Sequence, residues 1–252
     1  YMLVGGMPQV VKEYIDTNNF NKVDQVKRSI LELYEDDFRK IDSTGKASLM
    51  FLAIPSELAK NTSRYQVSSV IPGEKQDRVL GIISEMKDSL TVNVAYHAND
   101  PSVGMSLHED ISKYKLFLSD TGLFTTLAFM DKDFTENIIY EKLLSDKLDT
   151  DLGYLYENMV AQTLYASGNK LFYFTFPKDE SKHNYEIDFM ISKKDKICPI
   201  EVKSSGYKTH ASIDAFATKF SSKIGQKYLV YTKDLRKDGD LLCIPIYMTM
   251  FL

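Results

Sequence analysis

The chain is poor in the residues that build the commonest small-protein staples and metal centres. Only two cysteines occur in 252 residues, Cys198 and Cys243, and each sits inside an apolar, strand-like run. That excludes a disulfide framework and a cysteine zinc site, and suits buried thiols of a cytoplasmic protein. The four histidines (His97, His108, His183, His210) are scattered without metal-ligand spacing. No apolar run approaches the ~20 residues that span a bilayer, so no membrane partner is expected. The start, "YMLVGGMPQVV", lacks the basic region and cleavage site of a secretory signal. A start at Tyr1 with a "GGMP" turn so soon after it leads us to expect a fragment of a longer protein. There is also no glycine-rich phosphate loop of the Gly-x-x-x-x-Gly-Lys-Ser/Thr type. The nearest stretch, "STGKAS" from Ser43 to Ser48, lacks the first glycine and the spacing.

Apolar residues make up 44% and charged residues 26%, an ordinary soluble balance, and the length favours two domains. Net charge is −4, which argues against a uniformly basic nucleic-acid coat. Its distribution is uneven. Residues 1–150 hold 17 basic and 23 acidic side chains, whereas residues 151–252 hold 14 and 12. The second part is the better partner for a polyanion.

Apolar spacing predicts helices through the first part. "MPQVVKEYIDTNNF" sets Val10, Val11, Tyr14 and Ile15 on one side, with Pro8 in the first turn. "VDQVKRSILELYEDDFRKI" continues through Val26, Ile30, Leu33, Tyr34 and Phe38. A further helix ends near Phe51 or Leu52, and a short one follows Pro55. "EKQDRVLGIISEMKDSL" turns Val79, Ile82, Ile83 and Met86 inward. "TVNVAYHA" and "YKLFLSD" then alternate like strands. Helices followed by two looped strands outline a winged helix, in which Lys60 and Arg64 are the candidate phosphate contacts. "DTGLF" from Asp120 to Phe124 closes this part, and a turn-rich acidic stretch reaches the expected boundary near Asp151.

The second part, 151–252, reads as α-β-β-β-α-β. A helix over "LGYLYENMVAQTLYASG" ends at Gly168. "KLFYFTF", "YEIDFMI" and "KICPIEVKS" supply three strands, the last two joined by "SKKDK". "HASIDAFATKFSS" is a second helix, "KYLVYT" a fourth strand and "LLCIPIYM" an edge strand. The fold class is therefore mixed α/β, α+β overall, with a helical first domain (1–150) and an α/β second domain (151–252).

Within "EIDFMISKKDKICPIEVKS", Asp188, Glu201 and Lys203 lie inside runs that otherwise look buried. Such charges cost several kcal/mol unless something pairs with them. Glu201 and Lys203 share a strand face by alternation, and pairing across "SKKDK" brings Asp188 towards Glu201. Two converging carboxylates make a hard oxygen site of the kind Mg²⁺ (or Mn²⁺) accepts, beside a lysine able to offset phosphate charge. The alternative is a set of cross-strand ion pairs on a solvated face.

These phrases carry a resemblance. "EIDFMI", then "PIEVKSS", after a helix with "YEN", resembles the PD-(D/E)XK, or restriction-endonuclease-like, nuclease superfamily. More narrowly, "GGMPQVV", "IPSELAK", "YKLFLSDTGLF", "GYLYENMVAQTL" and "PIEVKSS", in that order, resemble the C-terminal half of bacterial and archaeal AAA-type ATPases. In that family a winged-helix segment and a nuclease-like domain of unassigned function follow the ATPase module. The resemblance implies Asp188 and Glu201 as metal-binding acids, Lys203 as catalytic lysine and Glu157 as a further metal ligand from the first core helix. Glu186 and Ser204 are possible accessories, and Lys208 and His210 are candidate backbone contacts. It also implies DNA and an upstream ATPase module as partners, ring-type self-association, and ATP binding confined to that upstream module. Two functions stay open: a metal-dependent nuclease, or an inactive nuclease-like platform that binds DNA or protein for the ATPase.

Overall fold

The computed structural model describes residues 1–60, 62–131, 141, 143, 145, 153–178, 183–204 and 210–252. Chain contacts divide it into two interleaved units. The first comprises 1–62, 66–92 and 118–159; the second comprises 63–65, 93–117 and 160–252. The expected boundary near Asp151 falls outside the described residues. No helix among the described residues is long and apolar enough to cross a membrane.

The first unit is helical. Helix α1 spans Pro8–Thr17, with Pro8 opening it and Asn18 closing it in the left-handed region (φ 45°). Helix α2 spans Phe20–Ile41, and the Asn19 side chain accepts the Asn21 and Lys22 N–H groups at its start. Short helices α3 (Lys46–Leu52), α4 (Ile54–Ala59) and α5 (Val67–Val70) follow, then α6 (Gln76–Asp88) and α7 (Thr121–Ala128). All four residues expected inside α6, Val79, Ile82, Ile83 and Met86, are buried.

The faces of α1 and α2 differ from the expected ones. Ile15 is 74% exposed and Leu33 62%, while Val26, Ile30 and Tyr34 are only partly covered. The buried stripe of α2 instead runs Val23, Asp24, Lys27, Leu31, Phe38. Two charged residues occupy core positions, so the apolar pattern alone gives the wrong phase. Lys27 Nζ donates to the Leu3 carbonyl at 2.9 Å and the Gly122 carbonyl at 3.2 Å. Asp24 accepts from Thr126 Oγ1 at 2.6 Å and Arg28 Nε at 2.8 Å. Asp120 caps α7 through the Leu123 N–H and also accepts from the Gly6 N–H. A side chain at Gly122 would meet the Val4 carbonyl at 2.4 Å, which accounts for the glycine in "DTGLF".

The second unit is built on an eight-stranded mixed sheet of order β2-β1-β3-β4-β5-β6-β8-β7. Its strands are β1 (Val92–Ala98), β2 (Glu109–Leu118), β3 (Phe172–Pro177), β4 (Asn184–Lys193), β5 (Lys196–Val202), β6 (Lys227–Tyr231), β7 (Arg236–Asp238) and β8 (Leu241–Pro245). Helix α8 (Gly153–Ala166) precedes β3, and α9 (Ala211–Lys219) lies between β5 and β6. From α8 to β6 the order is the expected α-β-β-β-α-β. Gly168 adopts φ 87° just past α8, as a chain reversal there requires.

Two expected placements change. The strands read as a wing continue the long sheet, because β1 pairs in parallel with β3 through Tyr96 opposite Phe172. "LLCIPIYM" is not an edge strand: β8 lies between β6 and β7, and the chain turns into a 3₁₀ helix at Ile246. The three-residue β7, wholly exposed and charged, forms the edge instead. The core holds Phe172, Phe174 and Phe176 of β3, Met190 of β4, and Ile213 and Phe216 of α9. Both cysteines are buried and outside any disulfide.

Candidate functional site

The β4–β5 hairpin positions the acids. Its register runs from Lys193 opposite Lys196 to Phe189 opposite Ile200, and Lys194 takes φ 56° in the turn. One step further along both strands are Asp188 and Glu201. Against β3 the register slips, with Phe172 opposite Met190 but Phe174 opposite Ile187. Strand β4 thus carries one extra residue at Asp188–Phe189, a bulge. Bulges re-aim side chains and end regular pairing. Here the Asp188 carboxylate accepts the Val202 N–H at 2.7 Å, while the next N–H, of Lys203, goes to the Val230 carbonyl of β6. Strand β5 is passed from β4 to β6 at this point, and Asp188 is fixed to the backbone that carries Glu201.

Glu201 is 5% exposed. Lys203 Nζ lies 2.7 Å from its Oε1, whereas Oε2 is buried and has no hydrogen-bond partner among the described residues. An unmet buried acceptor costs roughly 1–3 kcal/mol, more when charged. Burial pushes the Glu201 carboxyl above the usual range; the Lys203 ammonium opposes that rise and the Asp188 charge adds to it. Glu186 is also pushed up by burial, opposed by Lys115 and reinforced by Asp188. Lys115 of β2, itself buried, forms an ion pair with Glu186 and stands 5.7 Å from the Tyr173 ring centre.

The expected site is therefore assembled in part. Asp188, Glu201 and Lys203 come together, and Glu186 joins them through Asp188. His210, at the start of α9, has its Nδ1 2.5 Å from an Asp214 carboxylate oxygen and favours ionised Glu201 electrostatically. Ser204 follows the strand, half-buried. Lys208 lies outside the described residues. Glu157 is a half-buried residue of α8 assigned to the first unit, whereas the other acids belong to the second. Its neighbour Asn158 is fully buried and bonds the Leu118 N–H and carbonyl at 2.8 and 3.1 Å, so the "YEN" phrase has a structural member. Lys60 is paired with Glu57 and reaches Ser69 Oγ at 3.3 Å, and Arg64 is exposed in the second unit.

Sequence reasoning missed Lys115. The signal was present, since it is a charge inside the apolar strand run "YKLFLSD", the same criterion that singled out Glu201.

Among the described residues no group of three His, Cys, Asp or Glu side chains is arranged to hold a metal. The pair Asp188 and Glu201 still suits a hard divalent ion, because Mg²⁺ is commonly held by one or two carboxylates with waters and substrate oxygens completing six positions. The uncompensated Glu201 Oε2 is the oxygen such an ion would satisfy.

Fold and site define a mixed α/β protein with a carboxylate and lysine cluster where two central strands part. Residues 1–133, just over half of the chain, match the family described as "Domain of unknown function (DUF8612)", and the chain belongs to that family. Residues 152–248 match a second model, "Domain of unknown function (DUF4143)". The crystal structure of protein VC1899 from Vibrio cholerae is similar at 12% identity with a TM-score of 0.28. That likeness covers 98% of this chain but 55% of the other, so this chain spans about half of its length. No curated protein matches the chain.

Proposed function

We propose that this chain carries a metal-dependent phosphodiesterase site that acts on DNA, at the end of a protein whose upstream part is an AAA-type ATPase module. The observation that supports it most is the buried, unpartnered Oε2 of Glu201, beside Asp188 and on the same carboxylate that Lys203 holds. Neutral packing would dispense with such an oxygen; a cation would compensate it. Asp188 and Glu201 are the residues to hold Mg²⁺ or Mn²⁺. When bound, the ion lowers the pKa of a water and shields charge developing on phosphorus. The Asp188 bond to Val202 N–H keeps that carboxylate from swinging, and Lys203 places a positive charge where a phosphate oxygen would approach.

A second reading, an inactive platform that serves the ATPase, draws on a specific observation. Glu201 with Lys203, and Glu186 with Lys115, already neutralise two of the three acids without a metal. Incubating supercoiled, linear and single-stranded DNA with Mn²⁺ or Mg²⁺, against chelator and the Asp188→Ala and Lys203→Ala variants, separates the readings. The nuclease reading expects metal-dependent cleavage lost in both variants. Absence of cleavage by the full-length protein with ATP and either metal would leave the platform.

A further inference from the structure

We propose that Lys178 and Lys219 form a phosphate subsite for a polynucleotide strand that passes the Asp188–Glu201 cluster. The proposal deepens the phosphodiesterase reading and rests on it for the identity of the ligand. Lys178 follows the end of β3 and Lys219 closes α9, and both are exposed. Lys178 Nζ stands 5.4 Å from the Tyr185 ring centre, and Lys219 Nζ stands 5.6 Å from that of Phe176 and 5.8 Å from that of Phe220. The Phe176 and Tyr185 rings are themselves in contact, their centres 5.2 Å apart, so the two ammonium groups sit over neighbouring members of one aromatic cluster.

Three features make this more than a pair of surface lysines. Among the described residues neither ammonium has a carboxylate partner, while Lys203, Lys223 and Lys227 of the same unit all do. The rings hold the two side chains through cation–π contact, so less side-chain freedom is lost when a phosphate arrives. Their position also fits the site. Tyr185 precedes Asp188 by three residues on β4, about 10 Å at ~3.3 Å per residue. The ring beneath Lys178 therefore stands on the same strand as Asp188, within the span of a short stretch of nucleic-acid backbone. Partly covered Tyr185 and Phe220 add ring faces on which an unpaired base can stack. DNA and RNA share this backbone chemistry.

The test is fluorescence anisotropy in chelator, which removes any dependence on catalysis. The probes are a 16-nucleotide single-stranded DNA, its duplex and the matching RNA, each titrated across a salt series. Wild type is compared with Lys178→Gln/Lys219→Gln and with a control pair, Lys194→Gln/Lys237→Gln, drawn from exposed lysines elsewhere on the unit. We expect the first pair to weaken single-strand binding about tenfold, and to make the slope of log affinity against log salt shallower by about 1.4, the loss of two phosphate contacts. The control pair should change neither, and the arm bound tightest identifies the strand type. Equal affinity and slope in the two pairs, or no binding of any probe by wild type, overturns the subsite. Lysine-dependent binding, with no cleavage by the full-length protein in ATP and metal, would sink the phosphodiesterase reading and keep the subsite; cleavage with lysine-independent binding would do the reverse. Unchanged thermal melting of the variants confirms that folding is intact.

Discussion

Lys115 and Glu186 form an ion pair although β1 and β3 lie between their strands in the sheet. Three inter-strand steps of about 4.8 Å would put β2 and β4 some 14 Å apart in a flat sheet, beyond the joint reach of the two side chains. The sheet must therefore curl, as its twist favours, and Phe117 of β2 correspondingly lies 5.5 Å from Phe189 of β4. The consequence for the site is that a lysine from residues 93–117 compensates an acid within residues 152–248.

This gives the first prediction. The Lys115 side chain is 7% exposed and that of Glu186 27%, so removing the lysine alone strands a mostly buried carboxylate. Lys115→Met should cost about 2–4 kcal/mol in urea unfolding, the lower end reflecting the solvent that still reaches Glu186. Lys115→Met/Glu186→Gln should recover much of that loss, because no charge is then left unpaired. A double variant as unstable as the single one would show that packing around Tyr173, rather than the ion pair, is what Lys115 provides.

Much of this architecture is legible in the sequence, and the reasons it stops being so are physical. Helix α6 is readable because apolar residues alone fill its inner face. The run from α8 to β6 is readable because each element is bounded by a glycine, a turn or a charged cluster. Helix α2 misleads because Asp24 and Lys27 occupy core positions, satisfied by Thr126, Arg28 and two backbone carbonyls distant in sequence. The bulge at Asp188 leaves no local mark: neither Asp188 nor Phe189 is a glycine, and strict alternation fits the same letters. Pairing of β1 with β3 spans more than seventy residues, so nothing near "TVNVAYHA" distinguishes a wing from a sheet strand. The acid and lysine set itself could be read, because a charge in a strand run is visible without knowing its partner.

The second prediction concerns pH and Glu201. Burial raises its carboxyl, so the folded protein keeps that proton to higher pH than the unfolded chain does. In the interval between the ordinary glutamate value and the raised one, the folded state binds more protons, and stability falls as pH rises. Glu201→Gln abolishes this term. It should be more stable than wild type by about 1–3 kcal/mol near pH 7–8, the scale of an unmet buried acceptor, and the difference should vanish as both approach pH 4. Lys203, 39% exposed, remains hydrated without its partner and offsets little of the gain. Added Mg²⁺ should raise wild-type melting and leave the variant unmoved, by mass action on the folded state. Lower stability of Glu201→Gln at neutral pH would mean that the Lys203 pair outweighs the buried oxygen.

The third prediction lies in the helical unit, away from the acids. Lys27 is fully buried within α2, bonded to the carbonyls of Leu3 and Gly122, and burial lowers its ammonium to about 8 from 10.5. Asp24 and Asp120 oppose that shift and keep the group charged below pH 8. Between about pH 8 and pH 10.5 the unfolded chain holds the proton that the folded chain has lost. Stability from this group therefore rises with pH across that interval, by up to about 3 kcal/mol. Comparing wild type with Lys27→Met by urea unfolding from pH 7 to pH 10 isolates the term, since other titrating groups contribute to both. The methionine removes the donor to both carbonyls and leaves Asp24 and Asp120 without their buried counter-charge, so the variant is expected to be the less stable protein at pH 7. The margin should then change in wild type's favour as pH rises. A margin independent of pH would show that Lys27 keeps its proton throughout, with the two carbonyls and two carboxylates outweighing its burial.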